Sequence, residues 1–275
     1  MPKRFVNAFM LYGFLSVAVL LTLMPVIWMI STSFKLPDQV FTYPVEWIPR
    51  QIRWQNYTDA FQTRPFATYL FNSVLQSTVS MVIAVIFCAA AGYSFAHFSY
   101  PGRDMLFILV LSTLMIPFEV IAVPLYLQVQ RWGWVNSYTG LILPTALSAI
   151  GIFIMRQFML GIPRDFIESA RIDGAGEAQI FMRVILPLSI PAVSAVAIFN
   201  FVYVWNSYLW PLLVVNVDRL RTMPIGMAFF ESELTVSYTQ IMAVAVFGAL
   251  PLVLLFIALQ RNFINGVALT GLREG

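Results

Sequence analysis

Long charge-free runs alternate with short polar segments along the chain. Apart from His97, no ionisable charge lies between Arg4 and Lys35, between Arg64 and Arg103, from Trp132 to Met155, from Val184 to Val217, or from Leu234 to Gln260. The stretch from Met105 to Gln130 holds a single acid, Glu119. A membrane-crossing helix needs about 20 apolar residues. The pattern therefore predicts six spans, over about 9–31, 70–96, 105–127, 139–159, 186–213 and 239–262. Lys3 and Arg4 precede the first run, but the run is too long for a signal peptide and no small-x-small cleavage site follows it. It is read as a retained helix.

Composition agrees with the pattern. Of 275 residues, 60% are hydrophobic and 11% charged, against about 25% charged in a soluble globular chain. Too few charges are present to cover a water-facing surface, which excludes an ordinary soluble enzyme, a disordered regulator and a disulfide scaffold. The net charge of +3 is too small to suggest nucleic acid as a partner. One cysteine, Cys88, and one histidine, His97, exclude an internal disulfide and a multi-His metal site, and both are expected to have plain roles, Cys88 in packing and His97 facing headgroups. No repeat of 20–50 residues is visible, so the chain reads as a single transmembrane domain, 1–275.

An even number of spans puts both termini on one side. With the termini inside, nine of the 16 Lys and Arg side chains lie inside and seven outside. The positive-inside rule thus favours cytoplasmic termini by a small margin. The 32–69 segment, with Pro37, Pro44, Pro49, Pro65, Trp47 and Trp54, reads as an ordered interfacial loop.

The polar segment RQFMLGIPRDFIESARIDGAGEAQIFMRVILP, from Arg156 to Pro187, carries four basic and four acidic side chains. Pro163 can open a helix, Asp165 suits its first turn, and Gly174 suits its end. Phe166, Ile167 and Ala170 fall on one face, with Arg164, Glu168 and Arg171 on another. Such a helix either lies on headgroups or docks a partner. Its balanced charge disfavours the headgroups. Glu168 can also form an i,i+3 pair with Arg171.

Within this segment Glu168-Ser169-Ala170, three residues, Gly174, nine residues, Val184, one residue and Leu186-Pro187 resemble the EAA loop of ATP-binding-cassette (ABC) importer permeases. Ser169 and Val184 stand where that pattern has Ala and Ile. Three further stretches are similar to the carbohydrate-uptake branch, the maltose- and glycerol-phosphate-importer type. They are LMIPFEVIAVPLY (Leu114 to Tyr126), FVYVWNSYLWPLL (Phe201 to Leu213), and the end of the chain from Gln260 through Gly275. The resemblance implies an all-α polytopic protein with the six-helix fold of a type I ABC importer permease, in a bacterial cytoplasmic (inner) membrane. It implies that the loop seats on a cytoplasmic ABC ATPase, with Phe166, Ile167 and Ala170 in contact, Glu168 and Asp173 pairing with that subunit, and Gly174 permitting the turn. It further implies a second permease subunit, two ATPase copies, and an extracytoplasmic binding protein that delivers a sugar. ATP and Mg would be bound by the ATPase; this chain would hold no cofactor or metal and would not itself be an enzyme. Neither of its two lysines, Lys3 and Lys35, follows a G-x-x-x-x-G run, so it contains no P-loop.

A substrate path is expected where polar residues interrupt apolar spans. Asn200, Tyr203, Asn206 and Ser207 interrupt the fifth span, with Asn200, Tyr203 and Ser207 on one face, and Pro187 and Pro191 invite a kink. These groups serve either a pathway or helix packing. Trp205, Tyr208 and Trp210 suit an aromatic belt. Glu119, bracketed by Pro117 and Pro124, is an intramembrane acid and thus a candidate for transport. Solutes other than sugars, such as a polyol or glycerol phosphate, fit the same reading. An ion-coupled secondary carrier is the competing class, but it predicts inverted repeats and several buried ionisable groups.

Overall fold

Leu, Val, Ile, Ala, Phe and Met fill the spans, and in lipid a helix is the only open structure that pairs all its backbone groups internally. A computed structural model describes residues 2–231 and 237–271, with side chains over 10–231 and 237–260. Among these residues all regular structure is helical. In chain order the elements are α1 (Pro2–Ser33), α2 (Gln55–Thr63), α3 (Phe66–His97), α4 (Arg103–Ser112), α5 (Phe118–Arg131), α6 (Tyr138–Ile142) and α7 (Ala149–Leu160). They continue with α8 (Asp165–Ile172), α9 (Glu177–Ile180), α10 (Leu186–Leu188), α11 (Ile190–Trp205), α12 (Leu209–Val214), α13 (Met223–Glu231) and α14 (Tyr238–Gly271). A π-helical turn, Phe181–Ile185, joins α9 to α10.

Among the described residues three helices are long and apolar enough to cross a membrane: Met10–Ser33, Phe66–His97 and Tyr238–Gln260. Three bent pairs bring the number to six if each pair is one span. The third predicted span is broken: α4 and its 3-10 extension to Met115 meet α5 at 100°. Pro117 stands at that break, and it cannot donate a backbone hydrogen bond. The fourth bends by 46° before α7, where the Ser148 hydroxyl accepts from Gly151 N at 3.1 Å and caps the new helix. The fifth bends by 77° at Ser189, between Pro187 and Pro191. It also ends at Trp205, short of the predicted 213, and α12 is a separate short helix. The Leu272–Gly275 part of the C-terminal resemblance lies outside the described residues.

The chain divides into two compact units, Met1–Ala67 with Gly226–Leu250, and Thr68–Ile225 with Pro251–Gly275. In the first, the most apolar stretch of α1 buries none of its positions. The loop that follows is ordered, as its prolines and tryptophans suggested. Buried Asn56 on α2 donates to Ser33 O at 2.9 Å and Lys35 O at 2.8 Å, pinning the end of α1. The Lys35 ammonium sits 3.8 Å from the Trp28 ring centre, and burial pushes its pKa down against the pull of Glu46. Phe66 meets Phe230 edge-on at 5.0 Å, and Phe61 meets Phe247 at 4.8 Å.

In the second unit α3, α7 and α11 pack through small residues. A Cβ on Gly92 would lie 2.5 Å from Met155 Cβ, and one on Gly151 would lie 2.7 Å from Cys88 Sγ and 3.2 Å from Val196 Cγ1. Close approach of this kind is how helices associate in lipid. Cys88, at 1% exposure, is core. Farther along, Asn72 Nδ2 donates to Arg219 O (3.0 Å) and Arg221 O (2.8 Å), while its Oδ1 accepts from Tyr138 OH at 2.7 Å. These bonds clasp the 217–222 loop to α3. Trp205 and Trp210 are not a lipid-facing belt: both are buried, and Trp210 Nε1 donates to Gly140 O at 3.1 Å. Only Tyr208 is exposed. Nor does His97 stand free towards headgroups; its ring meets that of Tyr93 in a tilted contact at 5.4 Å, with Nε2 buried.

Candidate functional site

Two features stand out: the polar loop after α7, and a cleft among the bent spans. In the loop, α8 starts two residues after Pro163, with Asp165 and Glu168 in its first turn where the helix dipole favours acids. Gly174, at φ +83°, makes the left-handed turn that ends it, with Ala175 N donating to Ala170 O at 3.0 Å. At the start of α9 Gly176 N donates to Gln179 Oε1 at 3.3 Å, and Gln179 N donates back to Gly176 O at 2.9 Å.

The apolar face of α8 points two ways. Ile167 is 4% exposed and packs, with Ala170, into the core cluster of Tyr93, Met159 and Ile180. Ile167 is thus committed to its own chain, not free for the partner contact expected of it. Phe166 is 51% exposed and Ile172 86%. Together with exposed Glu168, Asp173 and Gly174 they form the outward surface of the loop. Ile172 was not singled out in the sequence, because it lies off the 166/167/170 face.

Arg171 does not pair with Glu168. Its Nε and second guanidinium nitrogen reach Glu177 Oε1 at 2.9 and 2.7 Å, and Glu177 Oε2 accepts from Tyr93 OH on α3 at 3.0 Å. Tyr93 is 5% exposed and ringed by Phe98 at 5.3 Å and Phe181 at 5.2 Å. Sequence reasoning missed both Glu177 and Tyr93. The one available signal was an acid in the first turn after a Gly-x-Gly break.

The cleft has a volume of about 670 Å³ and runs between the α4 extension, α5, α7 and α11. Its walls are mainly apolar, including Phe118, Ile121 and Phe199, with Thr113, Ser148, Asn200 and Tyr203 as polar points. Asn200 is 4% exposed and its Oδ1 is buried with no protein partner among the described residues. Tyr203, one turn on, is 59% exposed. The two share the cleft, as their spacing suggested. Asn206 and Ser207 do not, because α11 ends at Trp205 and the face ends with it. Asn206 Nδ2 is turned back onto Val202 O at 2.8 Å. Glu119 is exposed in the first turn of α5, a position its helix dipole favours, and is not among the cleft's lining residues. Among the described residues no group of three or more His, Cys, Asp or Glu side chains gathers to hold a metal.

The family described as binding-protein-dependent transport system inner membrane component matches residues 89–268. An arabinooligosaccharides transport system permease protein of Halalkalibacterium halodurans is 34% identical over 264 residues, covering 95% of this chain and 94% of its own. Its counterpart in Bacillus subtilis is 35% identical over 226 residues, covering 82% and 80%. An sn-glycerol-3-phosphate transport system permease protein of Yersinia enterocolitica is 33% identical over 262 residues, covering 92% and 93%. A chain in the crystal structure of a bacterial ABC transporter involved in the import of the acidic polysaccharide alginate has the same fold. The TM-score is 0.82 at 21% identity, over 96% of this chain and 98% of that one.

Proposed function

From the premise that the chain belongs to the family of binding-protein-dependent transport system inner membrane components, we propose that it forms the translocation path for a sugar in an ABC importer. An extracytoplasmic binding protein delivers the sugar, a second permease subunit completes the path, and two copies of a cytoplasmic ATPase drive it. The termini and the 160–186 loop face the cytoplasm. The chain binds neither ATP nor Mg itself and has no catalytic role.

The observation that carries this reading is the surface of the loop. Phe166 and Ile172 stand out into solvent beside Glu168 and Asp173, while Ile167 fixes the same helix to the chain's own core. An amphipathic helix held from behind and open in front can receive a groove on another protein. Force applied there moves packed helices as bodies. Arabinooligosaccharide transport by two relatives supports a carbohydrate, and the cleft's combination of aromatic walls with Asn200 and Tyr203 suits one. The glycerol-phosphate relative favours a second reading, in which a phosphorylated polyol is carried. Asn206 and Glu119, which do not line the cleft, would act on the path only from its ends.

The substitutions Glu168→Lys and Gly174→Asp test the docking. Both should abolish uptake and the co-purification of the ATPase while leaving membrane insertion intact; normal uptake in either would sink the reading. Ligand screening of the cognate binding protein separates the sugar from the phosphate ester.

A further inference from the structure

Glu177 uses its two carboxylate oxygens on two different elements. Oε1 holds Arg171 at the end of α8, and Oε2 holds the Tyr93 hydroxyl near the end of α3. The backbone between α8 and α9 turns through two glycines, Gly174 at φ +83° and Gly176, so it is compliant. The side-chain link is stiffer. Tyr93 is 5% exposed and fixed by Phe98, Phe181 and His97, leaving its hydroxyl no freedom except about the ring plane. A charge-assisted bond of 3.0 Å is lost within about 0.5 Å of stretch. Movement of α8 must therefore carry α3 along or break the bond. The Arg171–Glu177 pair is about half exposed and adds little to folding stability.

We propose that Glu177 is a positioning residue that ties the docking helix to the third helix: displacement of α8 by the ATPase reaches α3 through Arg171, Glu177 and Tyr93. This rests on the docking proposed above, and it names the route by which docking is felt in the spans.

The test is the complete importer, purified from its membrane and reconstituted in vesicles, with Tyr93→Phe, Glu177→Ala and the double variant. Tyr93→Phe removes one oxygen and keeps the ring packing. Each single variant should lower uptake, and the ratio of binding-protein-stimulated to basal ATP hydrolysis, about tenfold, within the usual range for coupled sites. Basal hydrolysis and the amount of co-purified ATPase should stay at wild-type values. The double variant should resemble either single one, since both cut the same link. Wild-type stimulation in Tyr93→Phe, losses that multiply in the double variant, or loss of the ATPase from any of the three would overturn the proposal. Failure of docking itself reads differently: Glu168→Lys and Gly174→Asp would then keep the ATPase bound.

Discussion

Replacing Gly92 by Ala should destabilise the packing of α3 against α7. The added Cβ would lie 2.5 Å from Met155 Cβ, 3.0 Å from Arg156 N and 3.1 Å from Met155 C. Carbon atoms in ordinary contact sit about 3.5–4.0 Å apart, so the helices must part by about 1 Å. The obstructing atoms are a Cβ and backbone, which no rotamer change can move. Overpacking of this kind costs about 1–3 kcal/mol, and the better helix propensity of Ala returns up to about 1 kcal/mol. At 2.5 Å from atoms that cannot move, the cost lies at the upper end, so the net loss is about 2 kcal/mol, and at roughly 2–4 °C per kcal/mol for a chain of this size the midpoint should fall by roughly 4–8 °C. Cys88 supplies the assay. It is the sole cysteine, it is 1% exposed, and it stands one helical turn before Gly92, so a fluorogenic maleimide labels the chain only as this interface opens. Gly13→Ala is the control, because nothing lies within 4 Å of its Cβ. A Gly92→Ala midpoint at or above that of the unsubstituted protein would refute the packing argument.

Asn72→Ala should be costly, because it deletes one side chain that serves Arg219 O, Arg221 O and Tyr138 OH in a buried setting. Unpaired buried groups cost about 1–3 kcal/mol each, so the thermal midpoint by the same labelling should drop by more than in Gly92→Ala. Gly174→Ala should act locally. Its Cβ would meet nothing within 4 Å, but φ is +83°, and a left-handed residue with a Cβ costs about 1–2 kcal/mol. Hydrogen exchange at Ala175 N, which bonds to Ala170 O, should quicken about tenfold, and Asn in place of Ala should restore part of the protection.

The spans were legible because lipid imposes a one-dimensional rule: a helix long enough, apolar enough and nearly without charge. Their bends were only half legible. Pro117 and Pro187 announced that something breaks, but the angles of 100° and 77° are set by what each half packs against. The end of α11 at Trp205 had no warning in Gly or Pro before Pro211, and the helical face drawn through Ser207 failed for that reason. Periodicity found the amphipathic α8 and grouped Phe166, Ile167 and Ala170, since spacing identifies a face. It cannot say that the face is divided, with Ile167 turned to Met159 and Ile180 and Phe166 turned outward. Tyr93 and Glu177 are 84 positions apart, and no local pattern connects them. Trp210 was taken for a belt residue because an indole suits both an interface and a core that offers it a carbonyl, here that of Gly140.

The broken spans bear on how the proposed path can change over evolutionary time. Two helix ends open onto the cleft, the α4 extension near Ile116 and the start of α7 near Ser148. Helix ends present backbone N–H and C=O groups that the helix cannot pair within itself. Main-chain polarity of this kind does not depend on which side chain stands beside it. Substitution can therefore reshape the walls at Phe118, Ile121 or Phe199, while the main-chain groups of the two helix ends stay in place. Specificity can drift by exchange of apolar residues alone, without a stage in which the passage has lost its polar groups.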